Sequence, residues 1–337
     1  MTGDCALLAI ETSCDETAAA VVVNGREVRS NVIASQVAAH RRFGGVVPEI
    51  ASRRHLEAIV PVVEAALGEA GLGFKDLDGV AVTYGPGLAG ALLVGLSYAK
   101  AVAYALRRPL IGVHHLLGHI YAAFLEYPGL ELPAVCLVVS GGHTHLIYLR
   151  DHVRRRILGS SRDDAAGEAF DKVARALGLG YPGGPHLERL AAAGDPHALH
   201  FPRAWLEEGS FDFSFSGVKT AVLNYLKQQS GEEEGRLADI AAGFQAAVVE
   251  VLVTKTVRAA KEYGVKTILA VGGVAANTAL RRALAAGAEE EGLMALFPRP
   301  AFCTDNAAMI GCAAYYQYLR RDFAPLSLDA CPNLPLR

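Results

Sequence analysis

His115 and His119 stand four residues apart in Val113-His114-His115-Leu116-Leu117-Gly118-His119, just after a short apolar run and before a stretch that reads as helix. Positions four apart share one face of a helix, so both imidazoles can reach a single ion. This is the most metal-like spacing in the chain, but two histidines alone define no family of sites. A third ligand must come from elsewhere. The best candidate is Asp305, in Cys303-Thr304-Asp305-Asn306 at the start of the last helical stretch. A carboxylate at a helix start is also an ordinary cap. Zinc peptidases of the HExxH type place a glutamate directly after the first histidine as general base. Here that residue is Leu116, so the spacing can hold an ion but lacks the base a peptidase needs.

Three glycine-rich loops could approach a ligand. Gly85-Pro86-Gly87-Leu88-Ala89-Gly90 fits GxGxxG between a strand and a helix, yet from Ala91 to Leu125 there is no Asp or Glu. A dinucleotide fold needs an acid about 20 residues on, which excludes a Rossmann dehydrogenase and leaves packing or ligand contact. Ser140-Gly141-Gly142-His143-Thr144 joins two strands, and Val271-Gly272-Gly273-Val274-Ala275-Ala276-Asn277 joins a strand to a helix. Glycine lets the backbone approach a ligand there, and Asn277 can cap the helix or bond a ribose or phosphate. Asp171 falls on a helix, where a surface pair with a lysine is its plain reading. Tyr181-Pro182-Gly183-Gly184-Pro185 reads as a turn and loop. Ser216-Gly217-Val218-Lys219 has SxxK spacing, but no Ser-Asp-Asn or Lys-Thr-Gly follows, so it is set aside.

The elements that must position these residues follow from apolar periodicity. Short apolar runs at 7–10, 18–23 and 28–35 read as strands, 49–70 as a helix, 79–83 as a strand, 88–106 as a helix and 110–113 as a strand. The second half repeats the plan, with strands at 134–140, 144–149 and 153–160, a helix at 236–262, a strand at 267–271, a helix from Asn277, a strand at 294–297 and a helix from Asp305. A duplicated α/β chain is expected, with domains at 1–127 and 128–304, an insert without clear period at 181–216, and the helix 305–320 packing back on the first domain. The loops of such a fold are expected to line one nucleotide cleft, with a nucleotide or acyl-nucleotide as ligand.

The 337 residues are 52% hydrophobic and carry a net charge of −3, which suits two cores and excludes a globally basic nucleic-acid binder. Arginine clusters at 41–42, 53–54, 107–108, 154–156, 281–282 and 320–321 are singly ordinary solvated faces and together permit contact with a polyanion. The six cysteines form no CxxC pair, and no leader-like segment or sustained apolar span is evident. A soluble, cytoplasmic protein with reduced thiols is expected, with no membrane partner.

Taken together, several motifs resemble one family. They are Ile10-Glu11-Thr12-Ser13-Cys14-Asp15-Glu16-Thr17, Gly44-Gly45-Val46-Val47-Pro48-Glu49, Gly85 to Leu88, the His115/His119 pair, Ser140 to Thr144, Asp163 to Lys172, Tyr181 to Pro185, Asp212 to Lys219, Gly272 to Asn277 and Thr304-Asp305-Asn306. In order, over nearly the whole chain, they resemble the TsaD family of tRNA threonylcarbamoyladenosine synthesis, once labelled O-sialoglycoprotein endopeptidases. The resemblance implies a duplicated actin-like, Hsp70-like and sugar-kinase-like α/β fold with two domains around a nucleotide cleft. It implies transfer of the L-threonylcarbamoyl group from threonylcarbamoyl-AMP to N6 of the adenosine 3′ of the anticodon, in tRNAs reading codons that begin with A. His115, His119 and Asp305 would hold one divalent metal, iron(II) or else zinc. Val138, Val139, Ser140, Gly141, Gly142, Asp171, Gly184 and Asn277 would line the acyl-adenylate. No general base is assigned. Partners would be tRNA, a paralogous inactive subunit of TsaB type and a small ATPase of TsaE type. The family commonly has Glu where this chain has Leu117. An ATPase or sugar kinase of the same fold, and a metallopeptidase, are the competing readings.

Overall fold

The apolar runs become strands buried on both faces. In the computed structural model, which describes residues 4–228 and 236–336, the first strand β1 (Ala6–Glu11) is buried at every position. A central strand under helices has no solvent side, so it reads as a continuous apolar run rather than an alternating one. Contacts divide the chain into two units, the residues up to Leu130 with Thr304–Leu336, and Glu131–Cys303.

The first unit runs β1, β2 (Glu16–Val23), β3 (Glu27–Ser35), α1 (Val37–His40), α2 (Pro48–Ala70), β4 (Gly79–Gly85), α3 (Ala89–Leu106), β5 (Leu110–His114) and α4 (His115–Glu126). Its sheet has the order β3-β2-β1-β4-β5. The first three strands pair antiparallel, and β4 and β5 join parallel to β1. The second unit runs β6 (Ala134–Val139), β7 (Thr144–Leu149), β8 (Arg155–Ser160), α5 (Ala166–Ala176), α6 (Gly183–Ala191), α7 (Ser216–Gln228), α8 (Leu237–Glu262), β9 (Thr267–Val271), α9 (Thr278–Glu290), β10 (Met294–Leu296) and α10 (Pro300–Cys303). Its sheet order is β10-β9-β6-β7-β8, again with three antiparallel strands and two parallel ones. The two sheets are one plan used twice. The last helix, α11 (Ala307–Leu319), packs on β1, β2 and α4.

Each sheet gathers its loops at the carboxyl ends of its parallel strands, where open α/β sheets bind ligands. In the first unit that edge carries Glu11 at the end of β1, Thr83 near the end of β4, and His115 directly after β5. In the second it carries Ser140 after β6 and Gly272 after β9.

The cores are conventional. In the second unit Phe213, Phe215 and Phe244 are fully buried around α8, each worth about 1.5–3 kcal/mol in apolar transfer. By length and composition α3 and α8 would each cross a bilayer. Here both serve cores, α3 through Leu96, Ala99 and Ala103, and α8 through Phe244, Val248 and Leu252.

Three local expectations change. The 181–216 insert is not irregular throughout, because the Tyr181–Pro185 stretch opens α6. Pro182 is its N-cap, and Pro185, at the third helical position, lacks a backbone N–H that could have no intrahelical partner there. The second half also carries three helices between β8 and α8, namely α5, α6 and α7, where the first carries α1 and α2 between β3 and β4. On α2 the apolar residues Leu56 and Val60, which share in its helical periodicity, are 65% and 46% exposed, and His55 is buried instead. Its ring bonds Thr17 Oγ1 at 2.7 Å and accepts no apolar role, its Nε2 donating to Cys14 O at 2.9 Å.

The GxGxxG loop is used for packing. A side chain on Gly87 would meet Ser13 O at 2.5 Å, while Leu88 N donates to that same oxygen at 2.8 Å. Gly87→Ala is therefore expected to lower stability by about 1–3 kcal/mol, read as a lower urea midpoint at unchanged m-value. An unshifted midpoint would show that the loop can yield.

Candidate metal centre and nucleotide loops

The first turn of α4 presents both histidines, since His115 is its first residue and His119 lies one turn on. Asp305 reaches them from the far end of the chain. The N-cap of α11 is Asn306, whose Oδ1 accepts from Met309 N at 3.0 Å. The capping role foreseen for Asp305 is thus filled by its neighbour, and the Asp305 carboxylate turns to the imidazoles. Its Oδ1 lies 3.2 Å from His119 Nε2 and 3.6 Å from His115 Nε2. Ligand atoms about 2.0–2.2 Å from a shared ion stand about 3–3.5 Å from one another, so these separations suit one cation. His119 is 1% exposed, and neither ring nitrogen makes a hydrogen bond. A buried imidazole left so is costly in a closed core, and a cation at this point would offset that cost. The residues fit a metal.

Glu11, not singled out beforehand as a site residue, holds the first ligand in place. It is fully buried, accepts Thr83 Oγ1 at 2.7 Å, and accepts from His115 Nδ1 at 3.0 Å. Ser13 Oγ lies 3.2 Å from the same nitrogen. Because a carboxylate only accepts, Nδ1 carries the proton and leaves Nε2 as the atom that could ligate. Nothing in the sequence distinguished this glutamate from a solvent-facing acid at a strand end.

The electrostatics follow from that packing. Burial alone would push the His115 imidazole down, but the charges of Asp305 and Glu11 and the Glu11 hydrogen bond outweigh it and push it up to about 9. Burial raises Glu11 too, and the facing His115 more than reverses it, so its carboxyl ends below the usual range. Nearby Glu16 is pushed up to about 9 by burial and by the charges of Asp15 and Asp305. This edge is crowded with negative charge that a cation offsets.

In the second unit the loop residues are tied together by hydrogen bonds. Ser140, Gly141 and Gly142 form the β6–β7 turn, with Ser140 O accepting from Gly167 N of α5 at 3.3 Å. Val138 and Val139 are fully buried on β6, so only their backbone could meet a ligand. Asp171, one turn along α5, does not pair with Lys172, which binds Asp164 and Glu168 instead. Its Oδ1 accepts from Gly183 N at 2.8 Å and Gly184 N at 3.2 Å, capping α6. Asn277 is the N-cap of α9 through Leu280 N at 2.9 Å, and its amide donates to Gln245 Oε1 at 2.8 Å. Glu188 of α6, also not foreseen, accepts from Thr278 N at 2.7 Å and joins α6 to that cap. Gly272 has φ +95, and a side chain there would strike Val139 O at 2.5 Å, so glycine is required. Ser216 and Lys219 are separately engaged, with Asp163 at 2.6 Å and Asp164 at 2.5 Å, and form no SxxK pair.

Two sheets of one topology with this helix order define a duplicated, two-unit α/β fold of the actin-like kind. The solved structures it resembles agree on the fold. A nucleotide- and phosphate-bound HypF matches at TM-score 0.63 and 16% identity, over 94% of this chain and 46% of that one. The (R)-2-hydroxyglutaryl-CoA dehydratase component A of Acidaminococcus fermentans matches at TM-score 0.55 and 16% identity, over 94% and 99%. The family itself is set by sequence. Residues 27–312 match the model of TsaD, tRNA N6-adenosine threonylcarbamoyltransferase. A protein of that name from Moorella thermoacetica is 71% identical over 98% of this chain and 97% of its own, and one from Clostridium kluyveri is 57% identical over 100% and 99%. The chain belongs to the TsaD family and is a transferase.

Metal-free His115 holds a second proton on Nε2, facing Asp305, up to about pH 9. A metal must displace that proton, so its affinity is expected to rise about tenfold per pH unit from 7 and to level off near 9. Glu11→Gln should lower affinity about 10–100-fold and move the levelling to lower pH, because the charge that raises His115 is gone. Chelator competition from pH 6 to 10 reads both effects, and a pH-independent affinity would remove the proton from the site.

Proposed function

We propose that the chain moves the L-threonylcarbamoyl group from threonylcarbamoyl-AMP to N6 of the adenosine 3′ of the anticodon, in tRNAs reading codons that begin with A. His115, His119 and Asp305 hold one divalent metal in this reading, iron(II) or else zinc, since two imidazoles and a carboxylate suit either ion. The single observation that carries it is full-length similarity to threonylcarbamoyltransferases, in a chain that brings these three ligands within 4.8 Å of one another.

When bound, the ion supplies Lewis-acid charge for a phosphate or carbonyl oxygen. The chain's own groups do the holding. The Ser140-Gly141-Gly142 turn offers backbone to the phosphate and carbamoyl groups, and the capped starts of α6 and α9, with Asp171, Gly184 and Asn277, receive the nucleotide. The N6 lone pair attacks the carbamoyl carbon, the bond from that carbon to the phosphate oxygen breaks, and AMP leaves as a stable anion. The N6 proton goes to solvent, so the step needs no assigned base.

In this reading the enzyme is cytoplasmic and works with an inactive paralogue of the same fold and a small ATPase. The exposed Leu56 and Val60 on α2 supply apolar area for such a subunit.

The purified chain with its partner subunits, unmodified tRNA and threonylcarbamoyl-AMP should yield threonylcarbamoyladenosine on nucleoside analysis, with AMP in equal amount. His115→Ala with His119→Ala should strip the metal in elemental analysis and reduce product at least about 100-fold. Transfer of the γ-phosphate of ATP to a hydroxyl compound, with no modified adenosine, would favour a kinase and sink the proposal.

A further inference from the structure

The C-terminal ends of α3 and α11 are joined beside β5, because Ala324 N donates to Leu110 O at 2.8 Å in an isolated antiparallel bridge. A cleft of about 530 Å³ opens there, bordered by Tyr104, Arg107, Arg108, Phe323 and Leu326. That volume suits a ligand of nucleotide size. Tyr104 is 74% exposed and Phe323 41%, so two aromatic rings face solvent at its rim.

Arg107 and Arg108 line the cleft with those rings, and two more arginines precede Phe323 in the chain. Arg107 and Arg108 follow α3, and Arg320 and Arg321 follow α11. Arg108 sits 3.9 Å from Asp78, whereas the guanidiniums of Arg107, Arg320 and Arg321 make no ion pair or hydrogen bond with a described residue. The ring of Tyr318 lies 5.6 Å from that of Phe323. Arginines after a helix also offset its dipole, but each helix end carries only about half a charge. Four guanidiniums against Asp78, Asp322 and two helix ends leave the surface positive. Arg107 and Arg321 also adopt left-handed backbone, φ 53 and φ 56, where glycine would be about 1 kcal/mol easier. Dipole compensation does not account for exposed rings interleaved with free guanidiniums, which is the pattern that binds unpaired nucleotides.

We infer that this cleft docks an unpaired nucleotide of the tRNA, its base stacked on Tyr104 and Phe323 and the flanking phosphates on Arg107, Arg108 and Arg321. The inference rests on the tRNA reading above and gives a chain of net charge −3 a local place for a polyanion, at the start of β5, whereas His115 follows the end of that strand.

The test is the modification assay with full chain and partner subunits, run across tRNA and salt concentrations. Arg107→Ala with Arg108→Ala should raise KM for tRNA about tenfold and make the slope of log KM against log salt shallower by about 1.5. Tyr104→Ala should raise KM about tenfold without changing the slope, and Tyr104→Phe should restore it. Arg29→Ala, an exposed arginine outside the cleft, should change neither. Equal KM and slope in the double variant would overturn the inference. So would loss of subunit assembly at unchanged KM, which would make the cleft a protein interface. No product from the unsubstituted protein at any tRNA concentration would sink the transferase reading itself, and this inference with it.

Discussion

The cluster of His115, His119 and Asp305 depends on one close approach between two helices. Gly118 lies between the two histidines on α4, and a side chain there would come within 2.6 Å of Ile310 Cδ1 on α11. With only hydrogen at that position, α11 settles against α4, and Asn306 at its start is carried to where its neighbour Asp305 meets both imidazoles. The contact is apolar and unspecific in itself. Its effect is to set the distance from Asp305 to the two imidazoles, because Asn306 caps α11 and His115 opens α4.

The same duplicated scaffold is used for two kinds of chemistry. At the carboxyl edge of the first sheet the chain places buried acids and imidazoles, and each charged group there is held by another, as Glu11 by His115 and Thr83. At the equivalent edge of the second sheet it places glycines and caps, with helix starts open to an anion and closed by Asp171 and Asn277. One edge gathers buried ionisable groups, while the other gathers glycines and helix caps with few charges.

The strand plan was legible because each central strand is buried on both faces and so appears as an unbroken apolar run, such as Ala134–Val139. The HxxxH pair was legible because helical spacing alone puts two imidazoles on one face. What was hidden depended on contacts distant in sequence. Nothing local says whether Asp305 or Asn306 caps α11, since both types cap well; the hydrogen bond to Met309 N decides it. Asp171 looked like a surface acid because its partners, Gly183 and Gly184, lie across a turn. The Pro-Gly-Gly-Pro stretch read as loop because its residues favour turns, although prolines at a helix start are compatible with the helix that forms. Leu56 and Val60 misled for the opposite reason, being apolar residues left outside.

The first unit is closed by the last part of the chain, and that ordering bears on synthesis. His115 and His119 leave the ribosome early, whereas Asp305 and α11 come only after the whole second unit. Folding from the N-terminus proceeds domain by domain as chain emerges, so β1 and α4 stand for most of translation without the helix that covers them. A nascent or truncated chain ending before residue 305 carries two imidazoles in an apolar groove and lacks the carboxylate. The three candidate ligands can therefore come together only after the second unit has been made.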